Sequence, residues 1–224
     1  MPKENNCRRG RGQIMKRPVS DVPESASIRL MLFDLGGVLV RYGGYQRFLE
    51  WTGGSITSRD LWDWWLNNRA VRLLETGRMT CDHFADHIIR HFRLPATRQE
   101  FLSEMRSWFA GAYPGAREML LALRESCHLA VLSNTNDVFW AGFEETDIYG
   151  LFNHYFASHR MACMKPDSGA YQAVLHATGL PARSILFFDD QQPNVDAARN
   201  TGMQAVQVHG LNEVKMVLKR MGFF

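Results

Sequence analysis

Five short apolar runs, at residues 28–33, 127–134, 154–158, 184–188 and 203–208, are separated by segments of helical periodicity. Strands alternating with helices form a parallel sheet with right-handed crossovers. IRLMLF and SILFF lack the polar alternation of a half-wet strand, so helices must cover both faces. The fold class expected is α/β, a doubly wound parallel sheet. In such sheets ligands bind beyond the carboxyl ends of the strands. Polar residues concentrate there in this chain: Asp34 follows the first run, Ser133-Asn134 close the second, Lys165 lies after the third, and Asp189-Asp190 follow the fourth.

Residues 41–112 change character. They are rich in Trp, Arg and His, with helical periodicity in LWDWWLNNRAVRLLE, CDHFADHIIRHF and RQEFLSEMRSWFA. The expected division is a core of residues 28–40 plus 113–224 and a helical cap at 41–112. Pro114 is placed in the first turn of the helix REMLLALRES. Residues 1–27 hold six basic and three acidic residues, which accounts for the whole formal charge of +3. They read as a disordered basic tail, and the rest of the chain offers no basic face for nucleic acid. No apolar segment is long enough for a signal or a membrane span. Cys7, Cys81, Cys127 and Cys163 are widely spaced without CxxC pairing, the pattern of free thiols in a cytoplasmic protein.

Three carboxylates and a lysine at one sheet edge are costly unless they meet a cation and an anion together. A magnesium ion and a phosphate group meet that need. Magnesium takes oxygen ligands, commonly one or two carboxylates with water and substrate oxygens. Lysine, a serine hydroxyl and backbone N–H groups suit phosphoryl oxygens. One carboxylate is then free to attack, and an aspartate nucleophile splits hydrolysis into two displacements through an acyl phosphate. The partner expected is a small phosphorylated metabolite. Oligomeric state is not legible.

The set FDLGGVLV, VLSNTN, KPDSGAY and FFDDQQPNVDAA resembles, in order and spacing, the four motifs of the haloacid dehalogenase-like superfamily over nearly all of residues 28–208. Within it the wording is most similar to the branch that includes α-D-glucose-1-phosphate phosphatase. The resemblance implies a Rossmann-like core and magnesium-dependent hydrolysis of a phosphate monoester, with a sugar 1-phosphate favoured. It implies Asp34 as nucleophile and metal ligand, Ser133 as the hydroxyl holding the phosphoryl group with Asn134 beside it, and Lys165 as the phosphate-binding lysine. Asp190 is implied as a direct magnesium ligand, Asp189 as its support or a further ligand, and the backbone carbonyl of Gly36 as another. Gly37 eases the turn into the cap.

Most phosphatases of this superfamily carry a second aspartate where this chain has Gly36; it protonates the leaving alcohol and later activates water. A positioned general acid is worth about 10² to 10⁴ in rate. Three explanations stay open: a substrate with a good leaving group, a proton from a cap residue or water, or a site that binds phosphate compounds with little turnover. The branch named above also lacks this aspartate and is hydrolytic, which favours the first two. Superfamily dehalogenases lack it too, but they tend to replace the acidic pair that this chain keeps.

Trp62, Trp64 and Trp65, with Leu61 and Leu66, span a broad arc of one helix and read as cap packing, with Asp63 opposite. His83, His87 and His91 recur every four residues, a spacing a metal site could use, but nothing in the sequence completes one. Asn194 is expected to bond within the loop after Asp190, and Asp196 to be a first-turn helix charge.

Overall fold

Leu30, Met31, Leu32 and Phe33 are all fully buried, which a strand achieves only when both faces are covered. Side chains alternate across a strand. Met31 and Phe33 enter one apolar cluster with Leu129, Val131, Leu186 and Phe188, while Leu30 and Leu32 enter another with Ala130, Leu132 and Phe187. The structure is a computed structural model that describes residues 28–224; the expected basic tail and Cys7 lie outside the described residues.

In chain order the elements begin with β1 (Leu30–Phe33), β2 (Val40–Tyr42), α1 (Gln46–Trp51), α2 (Ser58–Asn67), α3 (Arg69–Glu75), α4 (Cys81–Phe92), α5 (Arg98–Ser107) and β3 (Phe109–Ala112). There follow α6 (Ala116–Leu123), β4 (His128–Ser133), α7 (Asp137–Glu144), β5 (His154–Ala157), α8 (Ser158–Met161) and α9 (Ser168–Thr178). The chain closes with β6 (Ile185–Asp189), α10 (Gln192–Asn200), β7 (Gln204–Gln207) and α11 (Leu211–Arg220). The main sheet has the order β5-β4-β1-β6-β7, and all its pairings are parallel. β1 sits at its centre, and the order reverses about it. This is the doubly wound α/β fold expected from the alternation of strands and helices.

Helices α1 to α5 gather Phe48, Leu61, Trp65, Leu74, Phe84, Phe101 and Trp108 into a third apolar cluster, which Phe139 of α7 joins. Thr57 and Thr97 start α2 and α5 with capping boxes closed by Asp60 and Glu100, satisfying first-turn N–H groups that would otherwise lack partners. Three local expectations differ. LWDWWLNNRAVRLLE is two helices, because Asn68 is extended (φ −90°, ψ 133°) and its side chain accepts from the Ala70 N–H, capping α3. Pro114 lies before the cap residue Gly115 rather than in the first turn of α6. Leu66 is 60% exposed and takes no part in packing; of the α2 residues, Leu61 and Trp65 are the buried ones.

β2 and β3 form an antiparallel ribbon, with Val40 opposite Ala112 and Tyr42 opposite Phe109. Both passages between the sheet body and the five helices run through it. Cys81, Cys127 and Cys163 are free thiols. Among the described residues no helix is long and apolar enough to cross a membrane.

Candidate active site

Strands β4, β1 and β6 are neighbours whose register aligns Phe33 with Val131 and with Phe188. Asp34 continues β1 by one residue, its N–H donating to the Phe188 carbonyl at 2.9 Å. Ser133 and Asp189 end the flanking strands, so three polar side chains reach one edge from rigid elements. Lys165 comes from the loop between α8 and α9. Asn134 holds that loop: its Nδ2 donates to the Lys165 carbonyl, and its Oδ1 accepts from the Lys165 N–H, both at 2.8 Å. One Nδ2 hydrogen and one Oδ1 lone pair of Asn134 are thereby committed to the lysine backbone.

Lys165 is 1% exposed, and its Nζ lies 2.8 Å from Asp34 Oδ1 and 2.6 Å from Asp189 Oδ2. Burial alone would depress its pKa, but Asp189 and Asp34 outweigh it and hold the ammonium above its ordinary value. Asp189 is fully engaged, since its Oδ1 also accepts from the Gln191 N–H at 2.8 Å and from Asn194 Nδ2 at 2.9 Å. That position suits a support for its neighbours. Asn194 bonds as expected within this loop. Asp196 is the fifth residue of α10 rather than a first-turn charge, because the helix starts at Gln192, and it accepts from Gln192 Nε2 at 2.6 Å on the exposed side.

Oxygen atoms of Asp34, Asp189 and Asp190 lie within 4.8 Å of one another. Burial drives Asp34 up to about 7, against the pull of Lys165 and with added repulsion from Asp189 and Asp190. Asp190 is raised by burial and then by Asp189. One ammonium facing three crowded carboxylates leaves a surplus of negative charge away from water. A divalent cation with oxygen preference fits that surplus. The residues that would hold it are Asp34, Asp190 and the Gly36 carbonyl, which receives no hydrogen bond among the described residues. Ser133 is buried, and its hydroxyl has only a 3.5 Å contact to the Asn134 carbonyl, leaving it free for an incoming oxyanion.

Gly37 is in the left-handed region (φ +68°), and a Cβ there would stand 2.7 Å from Asp190 Oδ2. A turn alone would tolerate Asn here, but the close approach of Asp190 does not. Gly37→Ala should therefore displace Asp190 and weaken magnesium affinity by about 10- to 100-fold, measurable by titration calorimetry; unchanged affinity would remove Asp190 from the metal site.

Two residues of the site were not singled out in the sequence. Tyr42 places its ring where a side chain at residue 36 would go, with Cε2 3.0 Å from a Cβ built on Gly36. Glu75, at the end of α3, is 6% exposed and accepts from Trp65 Nε1 at 3.0 Å. Burial pushes it up to about 7, with Trp65 and the Lys165 charge opposing. Its signal in sequence was a carboxylate four residues after Val71, on an apolar helix face. By contrast, the histidines on α4 assemble nothing: His87 and His91 stack at 6.0 Å, and the one potential metal cluster among the described residues is the aspartate trio.

A doubly wound core with a buried carboxylate–lysine–carboxylate edge defines an α/β protein whose sheet edge has the charge balance to take a cation and an oxyanion side by side. The chain belongs to the haloacid dehalogenase-like hydrolase family, which matches residues 28–202. A relative from Mycobacterium tuberculosis (strain CDC 1551 / Oshkosh), named Phosphatase MT3486, is 29% identical, the match covering 81% of this chain and 88% of that protein. A haloacid dehalogenase-family enzyme of Bacteroides thetaiotaomicron, solved with magnesium and inorganic phosphate, shares the fold with a TM-score of 0.67 at 24% identity, covering 80% of this chain and 93% of that one. An L-2-haloacid dehalogenase shares it equally, with a TM-score of 0.67 at 20% identity over 88% of this chain and 99% of that one. The fold alone therefore does not choose between phosphate and halide chemistry.

Proposed function

We propose that this protein hydrolyses a small phosphate monoester through an aspartyl-phosphate on Asp34. The observation that carries the reading is the crowding of Asp34, Asp189 and Asp190 within 4.8 Å beside a single lysine. A metal-free halide displacement has no use for that negative surplus. A magnesium ion held by Asp34, Asp190 and the Gly36 carbonyl would offset charge on the phosphoryl oxygens and align the group for attack. Asp34 attacks phosphorus, and Ser133 and Lys165 bind the phosphoryl oxygens. Asn134 and Asp189 fix Lys165 from its backbone and from its ammonium. Phosphoryl transfer needs mainly positioning and charge neutralisation, which these groups supply. Naming of relatives as phosphatases supports the same reaction.

The five helices act as a cap that excludes water and selects the substrate. A sugar 1-phosphate is favoured by the motif resemblance and by the better leaving ability of an anomeric oxygen.

A panel of phosphorylated metabolites assayed for phosphate release with and without magnesium tests the reading. Magnesium-dependent turnover of at least one is the expected result. Slow, metal-independent release from every compound would instead support a phosphate-binding protein, the reading that Gly36 keeps open. Magnesium should also stabilise the fold by about 2.7 kcal/mol at a hundredfold excess over its dissociation constant, raising the melting temperature by about 5–10 °C for a chain of this size. EDTA should reverse the shift, and a melting curve indifferent to both would count against the metal site.

A further inference from the structure

From the geometry around α3 we infer that Glu75 is the proton donor and acceptor of this reaction, doing from the helical unit what the core cannot do from residue 36. The inference rests on the phosphatase reading above.

Helix α3 is tied down on both sides of Glu75. Arg72 pairs with Asp167 at 2.5 Å, two residues beyond Lys165. On the other side, Gly77 comes so close to the His159 carbonyl that a Cβ would stand 2.3 Å from it. Glu75 is thereby held over the loop that carries the lysine. The Lys165 charge acts on Glu75, and the Tyr42 hydroxyl is raised by burial and by both Asp34 and Glu75. Tyr42 is therefore near enough to both the proposed nucleophile and this carboxyl to feel their charges. The same ring covers Gly36, so the position an acid at residue 36 would use is filled, and Glu75 is a buried carboxyl of the helical unit that the Lys165 charge reaches.

Displacement at phosphorus is roughly in line. Asp34 attacks from the sheet edge, so the leaving oxygen departs on the far side, toward the helices. Trp65 Nε1 donates to Glu75 Oε1, and no donor among the described residues reaches Oε2. An indole N–H cannot accept a proton, so it orients the carboxyl without competing for its hydrogen. In the first step an Asp34 oxygen forms a bond to phosphorus, the bond from phosphorus to the leaving oxygen breaks, and that oxygen takes the electron pair and the Glu75 proton. In the second, the Glu75 carboxylate takes a proton from water as the water oxygen attacks phosphorus. The Asp34–phosphorus bond then breaks, releasing phosphate and restoring both residues.

The groups acting on Glu75 are few. The Lys165 charge acts on it, its own charge acts on Tyr42, and the His159 carbonyl of α8 lies beside Gly77. Trp65 comes from α2, and α4 contributes the uncharged Phe84, Ala85 and Ile88 to the same cluster. With Glu75 near 7, it is protonated at the acid side of neutrality and able to act in both steps, as a catalytic acid–base should be.

The test is leaving-group selectivity in the magnesium-loaded protein, comparing p-nitrophenyl phosphate with alkyl phosphates of rising alcohol pKa. The wild type should show a shallow dependence. Glu75→Gln, which keeps the Trp65 hydrogen bond, should lose about 10²- to 10⁴-fold on alkyl phosphates and only a few-fold on the aryl ester. Equal losses on both, or no loss, would overturn the inference. A selective loss in Tyr42→Phe with none in Glu75→Gln would assign the proton to Tyr42 and overturn it as well. The wild type alone supplies a second test that needs no variant to fold. The ratio of its kcat/KM for alkyl phosphates to that for the aryl ester should decline as pH rises through about 7, because ionisation of Asp34 affects both substrates alike; a ratio independent of pH would overturn it. A wild type that releases phosphate from no member of the panel would sink the phosphatase reading itself, a result distinct from a leaving-group-blind Glu75→Gln.

Discussion

Asp34→Asn should abolish phosphate release, by on the order of 10⁴- to 10⁶-fold, while leaving the fold at least as stable as before. Loss of a nucleophile removes the covalent route altogether, because an amide oxygen does not form the acyl phosphate. Stability should not suffer, since Asp34 is buried and forced up to about 7 by its surroundings; the neutral amide removes a charge the folded protein tolerates poorly. Lys165 keeps its 2.6 Å partner Asp189. Acid-quenched wild-type protein incubated with radiolabelled substrate should carry label, and the variant none. Turnover retained within tenfold of wild type would remove the nucleophile assignment.

Lys165→Met should damage both stability and activity. Methionine is close in length, so little volume is lost, but Asp34 and Asp189 then face one another with no cation between them. Breaking a buried ion pair by removing one partner costs about 3–5 kcal/mol, which in a chain of this size lowers the melting temperature by on the order of 10 °C. The deficit should depend on pH in a definite direction. Asp34 is already raised above its unfolded value, and without Lys165 it rises further. A carboxyl with a raised folded pKa binds more protons folded than unfolded, so it withdraws stability as pH rises from about 4 through its folded value. The melting gap between variant and wild type, measured without magnesium, should thus widen from pH 5 to pH 8. A gap that is constant or narrows would mean that Lys165 does not offset the carboxylates. Magnesium should restore part of the stability and none of the lost phosphoryl contact.

The groups at the sheet edge were legible in sequence because each follows or ends an apolar run. Asp34, Ser133 and Asp189 are placed by strand register, and that register is written in residues such as Phe33, Val131 and Phe188, whose burial is visible as hydrophobicity. Lys165 was legible from its position before Pro166. Its backbone clasp by Asn134 was not, since that bond joins residues 31 apart through loop geometry. The β2–β3 ribbon escaped for a similar reason. VRY and FAGA are too short to show alternation, and their pairing brings together residues such as Val40 and Ala112 across the whole helical segment. Glu75 was not singled out, since a carboxylate at a helix end is ordinarily exposed. Only the folded positions of Trp65, Tyr42 and Lys165 reveal that it is enclosed. The break at Asn68, which separates α2 from α3, reads in sequence as two unremarkable asparagines.

The ribbon also bears on how such a protein changes its substrate over generations. With Val40 and Ala112 side by side, the chain leaves the sheet body and returns to it at one place. Everything between them is an insert whose chain joins the sheet body at that one place, while its side chains pack on α7 and on the segment around α8. Another insert of different length and shape can be spliced there without altering the spacing of any strand beneath it. The pocket wall is then free to diverge while the carboxylates and lysine at the edge stay fixed.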